Sequence, residues 1–436
     1  TLIGLPVGAA SNNWVVSGKR AVNGKPLLAN DTHLGLPNPS FWWEVDLNCP
    51  TIHVSGFAVP GVPGIPIGHN RHVAWGVTNV MVDDVDFYIE KINPKNPRQY
   101  WFMDHWEDMK TIKTTIKVKG APPVEKEILL TRHGPILTEP AQWKQNKAIS
   151  QHWAFTDCLQ PGRAGYGLMK AHNVKEVIEA LRYWELPSQN FVFADKEGNI
   201  GYWCCATVPI RAKGDGLLPM PGWTGEYEWK GYVSFDDRPH VLNPTQGFIA
   251  TANNKVGSDY PYMISTYWEP QDRIERINRL LKAKNKLDVE DFKKIQNDVY
   301  CLLASELTPL FLDVLKAHPT GKGFQEAGEI LSGWDFMMEQ NSAAACIFEA
   351  TFLKMMENIF KDELGDDLFK KYLDTTVFLP RAIRTICRKG SSPWFDNVNT
   401  PEKEGMRDII RVSLTQALSQ LREEMGDDMA RWGWGK

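Results

Sequence analysis

The chain has 436 residues, 43% of them hydrophobic, with 49 Lys+Arg against 53 Asp+Glu and a formal net charge of −4 at pH 7. That length supports a large core in two or three structural units, and balanced charge without a long run of one sign excludes a polyanion-binding surface. No stretch approaches the ~20 apolar residues needed to cross a bilayer, so neither nucleic acid nor membrane is an expected partner.

Along the chain, "GAASNNWVVSG" (8–18) sets very small residues before Ser11 and a strand-like run. "VNGK" (22–25) is a hairpin signal between "NWVVSG" and "PLLAN". With Asn23-Gly24 as a two-residue loop, the numbers of facing residues sum to 47, setting Trp14 opposite His33 and Ser11 one step beyond. A bulge at Ser17-Gly18 would shift that register by one. Thr111, Lys113, Thr115 and Lys117 alternate with Ile112, Thr114, Ile116 and Val118, a half-solvated strand that a turn at "KGAPP" returns through Val124 to Thr131. Phe191 to Ala194 and Asn199 to Trp203 flank a polar Gly-containing turn, a second hairpin, while "VPGVPGIPIGHN" and "LPMPGWTGEYEWKG" read as ordered loops.

From about residue 270 the period becomes helical. Ile274, Ile277, Leu280 and Leu281 share a face, and Asp288 is an N-cap ahead of Phe292, Ile295 and Val299. Amphipathic runs follow at 343–360 and 407–421. The expected organisation is a short leader over 1–10, a β-rich core over 11–269 and a mainly helical region over 270–436, an α+β chain. Thr1 and Lys436 read as positions inside a longer precursor.

Seven cysteines without CxxC spacing read as small buried hydrophobes, with Cys204 and Cys205 on opposite faces of one strand. His69, His72, His133 and His152 form no HExxH or other zinc spacing and read as structural. The 17 Trp, with runs such as "FWWEV" and "EYEWKG", read as core and hairpin packing or as sugar-stacking surfaces of a binding protein.

No G-x-S-x-G elbow presents Ser11. Another activation is open to it: once the preceding bond is cut, its freed α-amine, with an ordinary pKa of ~7.7–8.0, can serve through water as base for its own hydroxyl. The same hydroxyl could cut the bond by attacking the Ala10 carbonyl, and Gly8, Ala9 and Ala10 are small enough for the tight bend this needs. On spacing alone, Ser11 also reads as a linker residue and His33 as a structural histidine.

"GAASNNWVVSG", "LLANDTHL", "GIPIGHNRHVAWGVTN", "DDVDFY", "TRHGPIL", "FVFADKEGNIGYW", "GFIATANN", "PQDRIERI" and "VEDFKKIQND", in this order, resemble the penicillin acylases (penicillin amidases) of the N-terminal nucleophile hydrolase superfamily. The resemblance implies a four-layer αββα sandwich with a helical C-terminal extension. It implies a precursor that cuts itself into an α and a β subunit, the β subunit starting at Ser11 and residues 1–10 ending the spacer. The α subunit, a partner from the same precursor, and the last part of the β subunit would then lie outside this chain.

By motif, the resemblance makes Ser11 the nucleophile and His33 the residue orienting its amine. Asn79 N–H and the Asn253 amide become oxyanion donors, and Arg273 their electrostatic support. No organic cofactor is implied. Asp83, the Val85 carbonyl and Asp86 match a calcium loop of part of the family, although a further acidic ligand has no counterpart in "YMISTYW". Leu34 and Ile67 fall at acyl-pocket positions. The expected activity is hydrolysis of the side-chain amide of small N-acyl compounds, β-lactams such as penicillin or N-acyl-homoserine lactones, in the periplasm or outside the cell. The alternatives are a family member that never matures and an aromatic-rich carbohydrate-binding protein.

Overall fold

The computed structural model describes residues 10–138, 142, 146–157, 161–257, 259–321, 323–373 and 378–435, so residues 1–9 of the expected leader and Cys158 lie outside the described residues. The described residues form two compact units, one within 11–32 and 36–268, the other of Ala10 with residues within 33–35 and 269–435.

Through residue 135 the chain forms β1 (Ala10–Val16), β2 (Leu27–His33), β3 (Trp43–Cys49), β4 (Ile52–Ala58), β5 (Ile67–Asn70), β6 (Val73–Asn79), β7 (Val85–Asn93), β8 (Asn96–Phe102), β9 (His105–Asp108), β10 (Lys110–Ile116), β11 (Val124–Thr131) and β12 (Gly134–Pro135). Then come β13 (Lys147–Trp153), the helices α1 (Pro161–Lys170) and α2 (Val174–Leu181), and β14 (Gln189–Asp195) and β15 (Ile200–Cys205). The first unit closes with β16 (Pro209–Arg211), β17 (Met220–Pro221), β18 (Trp229–Tyr232), β19 (His240–Leu242) and β20 (Phe248–Thr251).

Period-two alternation builds the centre of this unit. In the seven-stranded sheet β19-β15-β14-β6-β5-β4-β3, Phe191, Phe193, Trp203 and Cys205 point to one side and pack with Trp75 and Val77 against Leu168, Val174 and Val177 of α1 and α2. Val192, Ala194, Tyr202 and Cys204 point to the other side and meet Val15 and Ile249 of the three-stranded sheet β2-β1-β20. Three layers result: helices, a large sheet and a small sheet. Trp75, Phe191 and Phe193 are fully buried, each contributing about 2–3 kcal/mol of hydrophobic stabilisation. Cys204 and Cys205 do occupy opposite faces, as their adjacency in a strand dictates.

The helices α1 and α2 interrupt a stretch that the sequence reading took as β-rich. Asn173 caps α2 by accepting from the Glu176 N–H, a cap legible in "NVKE". A turn forms over Ala21–Gly24, closed by the Gly24 N–H on the Ala21 carbonyl at 3.3 Å, so Val22 and Asn23 and not Asn23-Gly24 are its central pair, and a 3₁₀ turn over Gly18–Arg20 precedes it. The strands are therefore not joined by a two-residue loop, and the symmetric register that set Trp14 opposite His33 loses its basis. Gly18 is required there: a Cβ would lie 2.3 Å from the Gly24 carbonyl oxygen. The β10–β11 hairpin forms with Ile112 opposite Ile128 and Ile116 opposite Val124, yet these four side chains stay exposed rather than half-buried.

The second unit contributes α3 (Asp272–Ala283), α4 (Val289–Gln296), α5 (Leu302–Ala317), α6 (Phe324–Ser332), α7 (Ala343–Leu373), α8 (Phe378–Lys389) and α9 (Met406–Met425). Asp288 and Asp291 form a reciprocal capping box at α4, and Val299 falls beyond that helix. The core of this unit includes Phe311, Phe348, Met355, Ile359, Leu414 and Trp432, and Gly365 breaks α7 with a φ of 69°.

Candidate active site

Ser11, Asn13 and Val15 alternate along β1 toward the space between the two sheets. Val15 packs in the apolar core there, Asn13 pairs with Thr251 across β20, and Ser11 follows at the end of the row. The facing strands grade the same way: Ala194 and Val192 of β14 are apolar and Asn190 is not, while β6 presents Gly76 and then Thr78. Ser11, Asn13, Thr78, Asn190, Thr251 and Asn253 are all at most 6% exposed. The inter-sheet core is therefore apolar at one end and polar at the Ser11 end.

The polar end is continuously hydrogen-bonded, as burial demands. The Ser11 N–H donates to Asn253 Oδ1 at 2.7 Å, and Asn253 Nδ2 donates to the Asn79 carbonyl at 3.0 Å. Asn253 takes a left-handed φ of 58°, which Asn tolerates better than most residues. Val80 donates to the Ser188 carbonyl at 3.2 Å. The adjoining Asn79–Gln189 pair is then of the non-hydrogen-bonded kind, and the Asn79 N–H and C=O turn out of the β6–β14 ladder.

Asn190 Nδ2 donates to the same Asn79 carbonyl at 3.2 Å and to Thr78 Oγ1 at 3.2 Å, and Asn190 Oδ1 accepts from the Tyr202 hydroxyl at 2.8 Å. Burial raises the Tyr202 pKa well above its ordinary value, so this hydroxyl stays a neutral donor. The two threonine hydroxyls are 2.8 Å apart, and Thr251 donates onward to Asn13 Oδ1. One hydrogen per hydroxyl fixes the direction of the chain: Tyr202 to Asn190 to Thr78 to Thr251 to Asn13.

Asn30 ties the two sheets together. Its Nδ2 reaches the carbonyls of Asn12 at 3.1 Å and Val77 at 3.0 Å, and its Oδ1 accepts from the Val77 N–H at 2.6 Å. Gly76 makes room: a Cβ there would lie 2.7 Å from Asn30 Oδ1.

The structure thus brings Ser11, Asn79 and Asn253 into one hydrogen-bonded group. His33 is the half-buried last residue of β2, and Arg273 in α3 pairs with Glu269 at 3.5 Å; both belong to the other unit. Asn13, Thr78, Asn190, Tyr202 and Thr251 were not singled out by the sequence reading. Their signal was available as polar side chains at inward positions of otherwise apolar strands. Ile67 packs in the helix-side core, away from the face that carries Ser11.

The expected calcium loop holds a cation of its own. Asp86 is 2% exposed and both of its oxygens accept from Arg211 Nε, at 3.1 and 2.9 Å. Arg211 Nη2 reaches Asp86 Oδ1 at 2.7 Å and the Asp83 carbonyl at 3.0 Å. Trp229 Nε1 donates to Asp86 Oδ2 at 2.6 Å, and Val85 is paired with Trp153 in the β7–β13 ladder. Carboxylate lone pairs committed to a guanidinium and an indole do not fit a Ca²⁺ shell of 6–8 oxygens. Asp83 and Asp86 are here the seat of an ion pair with Arg211, and Val85 lies between them in sequence.

His133, read as structural, lies 1% exposed between two carboxylates, Nδ1 at 2.8 Å from Glu90 and Nε2 at 2.8 Å from Glu228. Tyr88 stacks on its ring at 3.9 Å. Burial opposes its charge, but the hydrogen bonds to Glu228 and Glu90 outweigh this and raise its pKa.

The family model for penicillin amidase matches residues 4–436. The acyl-homoserine lactone acylase QuiP of Pseudomonas aeruginosa is 31% identical over 464 residues, covering 98% of this chain and 54% of that protein. The penicillin acylase 2 proenzyme of Pseudomonas sp. (strain SE83) is 34% identical over 358 residues, covering 79% of this chain and 44% of its own length. A thermostable penicillin G acylase from Alcaligenes faecalis superposes with a TM-score of 0.81 at 26% identity, covering 97% of this chain and 80% of that one. The chain spans about half the length of the curated relatives it matches.

Proposed function

The chain belongs to the penicillin amidase family, and from that premise we propose that it is part of an amidohydrolase processed between Ala10 and Ser11, which cleaves N-acyl amides through an acyl-serine. The observation that carries the reading is the Ser11 N–H held at 2.7 Å on Asn253 Oδ1 inside a buried end of the inter-sheet core rich in polar side chains. An acceptor fixed on that nitrogen orients the peptide before cleavage and the α-amine after it.

These positions support an acyl-transfer mechanism on Ser11. The Ser11 hydroxyl attacks the amide carbonyl, the Ser11 α-amine takes its proton and passes it to the leaving amine, and water hydrolyses the acyl-serine by the reverse path. The Asn79 N–H and the Asn253 amide stabilise the oxyanion; such preorganised donors are worth roughly 10²–10³ in rate each. His33 orients the amine and Arg273 supports the charge, with a fourth, helical layer completing the sandwich and an α subunit from the same precursor completing the enzyme. Export to the periplasm or beyond accords with this maturation route.

The named relatives act on acyl-homoserine lactones and penicillins. Both compounds carry an acyl chain on a secondary amide next to a small ring, and that shared group is the substrate class we assign. In the full-length protein, intact mass should show a chain starting at Ser11, and Ser11→Ala should remain uncut and inactive on an N-acyl-homoserine lactone panel. An uncut, inactive wild type would favour a non-maturing member instead.

A further inference from the structure

We infer that Asn190 is a positioning residue for the oxyanion site, holding residue Asn79 in place through its carbonyl, with Tyr202 holding the oxygen end of the Asn190 amide. This rests on the proposed role of Ser11 and Asn79 and goes beyond it, since neither Asn190 nor Tyr202 touches the reacting atoms.

Two amide donors converge on the Asn79 carbonyl, Asn253 Nδ2 at 3.0 Å and Asn190 Nδ2 at 3.2 Å. They fill both lone pairs of that oxygen and fix the plane of the peptide that follows Asn79. The Asn79 side chain is held as well, its Oδ1 accepting from Gln189 Nε2 at 2.8 Å. Main chain and side chain of this one residue are therefore locked from neighbouring positions on β14. The Asn79 N–H lies on the preceding peptide, whose Thr78 carbonyl sits in the ladder opposite Asn190, so the contacts on the Asn79 carbonyl act on its aim through the shared Asn79 Cα.

The residue type is determined by its bonds. Asn190 uses both amide hydrogens, on Thr78 and on Asn79, and its oxygen accepts from Tyr202. Aspartate would supply no such pair of donors, leucine none, and glutamine is one methylene longer in a site with no exposed surface. The Asn79 carbonyl, which can only accept, decides which way round the amide sits: the NH₂ end faces it and Thr78, and the Tyr202 hydroxyl donates to the oxygen end. Through Thr78 and Thr251 the same chain reaches Asn13, two residues from Ser11 on the same face of β1. Nucleophile strand and oxyanion strand are thus registered by one directional network.

The test uses the full-length protein and an N-acyl-homoserine lactone substrate. Asn190→Leu should lower kcat by roughly 10–100-fold, the scale of a small misplacement of a catalytic group, with KM changed less than about threefold. Tyr202→Phe should give a smaller loss of the same kind. Should the leucine variant fail to accumulate as folded protein, Asn190→Ser withdraws the amide donor with less disturbance and carries the test. An alkylboronic acid that mimics the tetrahedral intermediate should lose affinity in parallel with kcat, while the carboxylate product should not, a split that general loosening of the fold would not produce. Folded variants with wild-type kcat, or with boronate and product affinities falling together, would overturn the role of Asn190. A wild type that neither matures nor hydrolyses would instead sink the underlying reading, so the two failures are distinct.

Discussion

Replacing Asn253 separates chemistry from architecture. Its Oδ1 holds the Ser11 nitrogen at 2.7 Å and its Nδ2 holds the Asn79 carbonyl at 3.0 Å, and its φ of 58° is left-handed. Asn253→Ala loses both hydrogen bonds, about 1 kcal/mol each, and adds about 1 kcal/mol for an L-residue in that conformation. Asn253→Gly loses the same bonds without the conformational term. If the amide serves the oxyanion, both variants also lose roughly 10²–10³ in kcat, about 2.7–4 kcal/mol of transition-state stabilisation. The two should therefore differ in melting temperature but not in turnover. The assay is steady-state hydrolysis of an acyl amide, with kcat normalised to the fraction of chains that begin at Ser11 by intact mass. Equal falls in kcat and kcat/KM mark an interaction made only in the transition state. A glycine variant that turns over within threefold of wild type would reduce Asn253 to a structural clamp and refute the reasoning.

Two further outcomes follow from the buried ion pairs. Removing Arg211 as Arg211→Leu leaves Asp86, 2% exposed, without its counter-ion and should cost about 3–5 kcal/mol of stability; because the guanidinium fills that seat, a chelator should leave the wild-type melting temperature unmoved, and a chelator-induced drop would restore the calcium reading. At His133 the raised pKa gives stability that is complete below the ordinary imidazole value of 6.5 and lost as pH rises through the folded value. The Glu228 carboxyl moves the other way: burial alone would raise it, but the His133 hydrogen bond and charge lower it, so its stability is lost as pH falls through the lowered value. The melting-temperature gap between wild type and His133→Gln should accordingly narrow from about pH 6 to about pH 9; a gap constant over that range would mean that the ring is not held as an imidazolium.

Much of this was legible in the sequence because local rules agreed. The capped start of α4 at Asp288, the β10–β11 hairpin and the opposite faces of Cys204 and Cys205 follow from caps and period two alone. What escaped was set by distant partners. A reversal near Asn23-Gly24 was readable, but its centre at Val22–Asn23 and the 3₁₀ turn at Gly18–Arg20 depend on how closely two glycines approach. The Asp83–Asp86 segment has donors that suit calcium, yet Arg211, more than a hundred residues away in sequence, decides what they hold. The exposure of Ile112 and Ile128 likewise depends on what packs over a hairpin, which alternation does not encode.

The polar end of the inter-sheet core was the part most open to reading and least read. A sheet sandwich gains stability by placing apolar residues at every inward position, as Val15, Val192 and Ile249 do. Asn13, Thr78, Asn190 and Thr251 break that rule together, on four strands, at one end. Each buried amide or hydroxyl must recover its lost hydration through a hydrogen bond, and the net gain is small at best, about 0.5–1.5 kcal/mol per bond. Aliphatic residues of similar volume would serve stability at least as well. Four polar side chains that add little stability over apolar ones act through what they orient: the Asn79 carbonyl through Asn190, and through Asn13 the strand that carries Ser11.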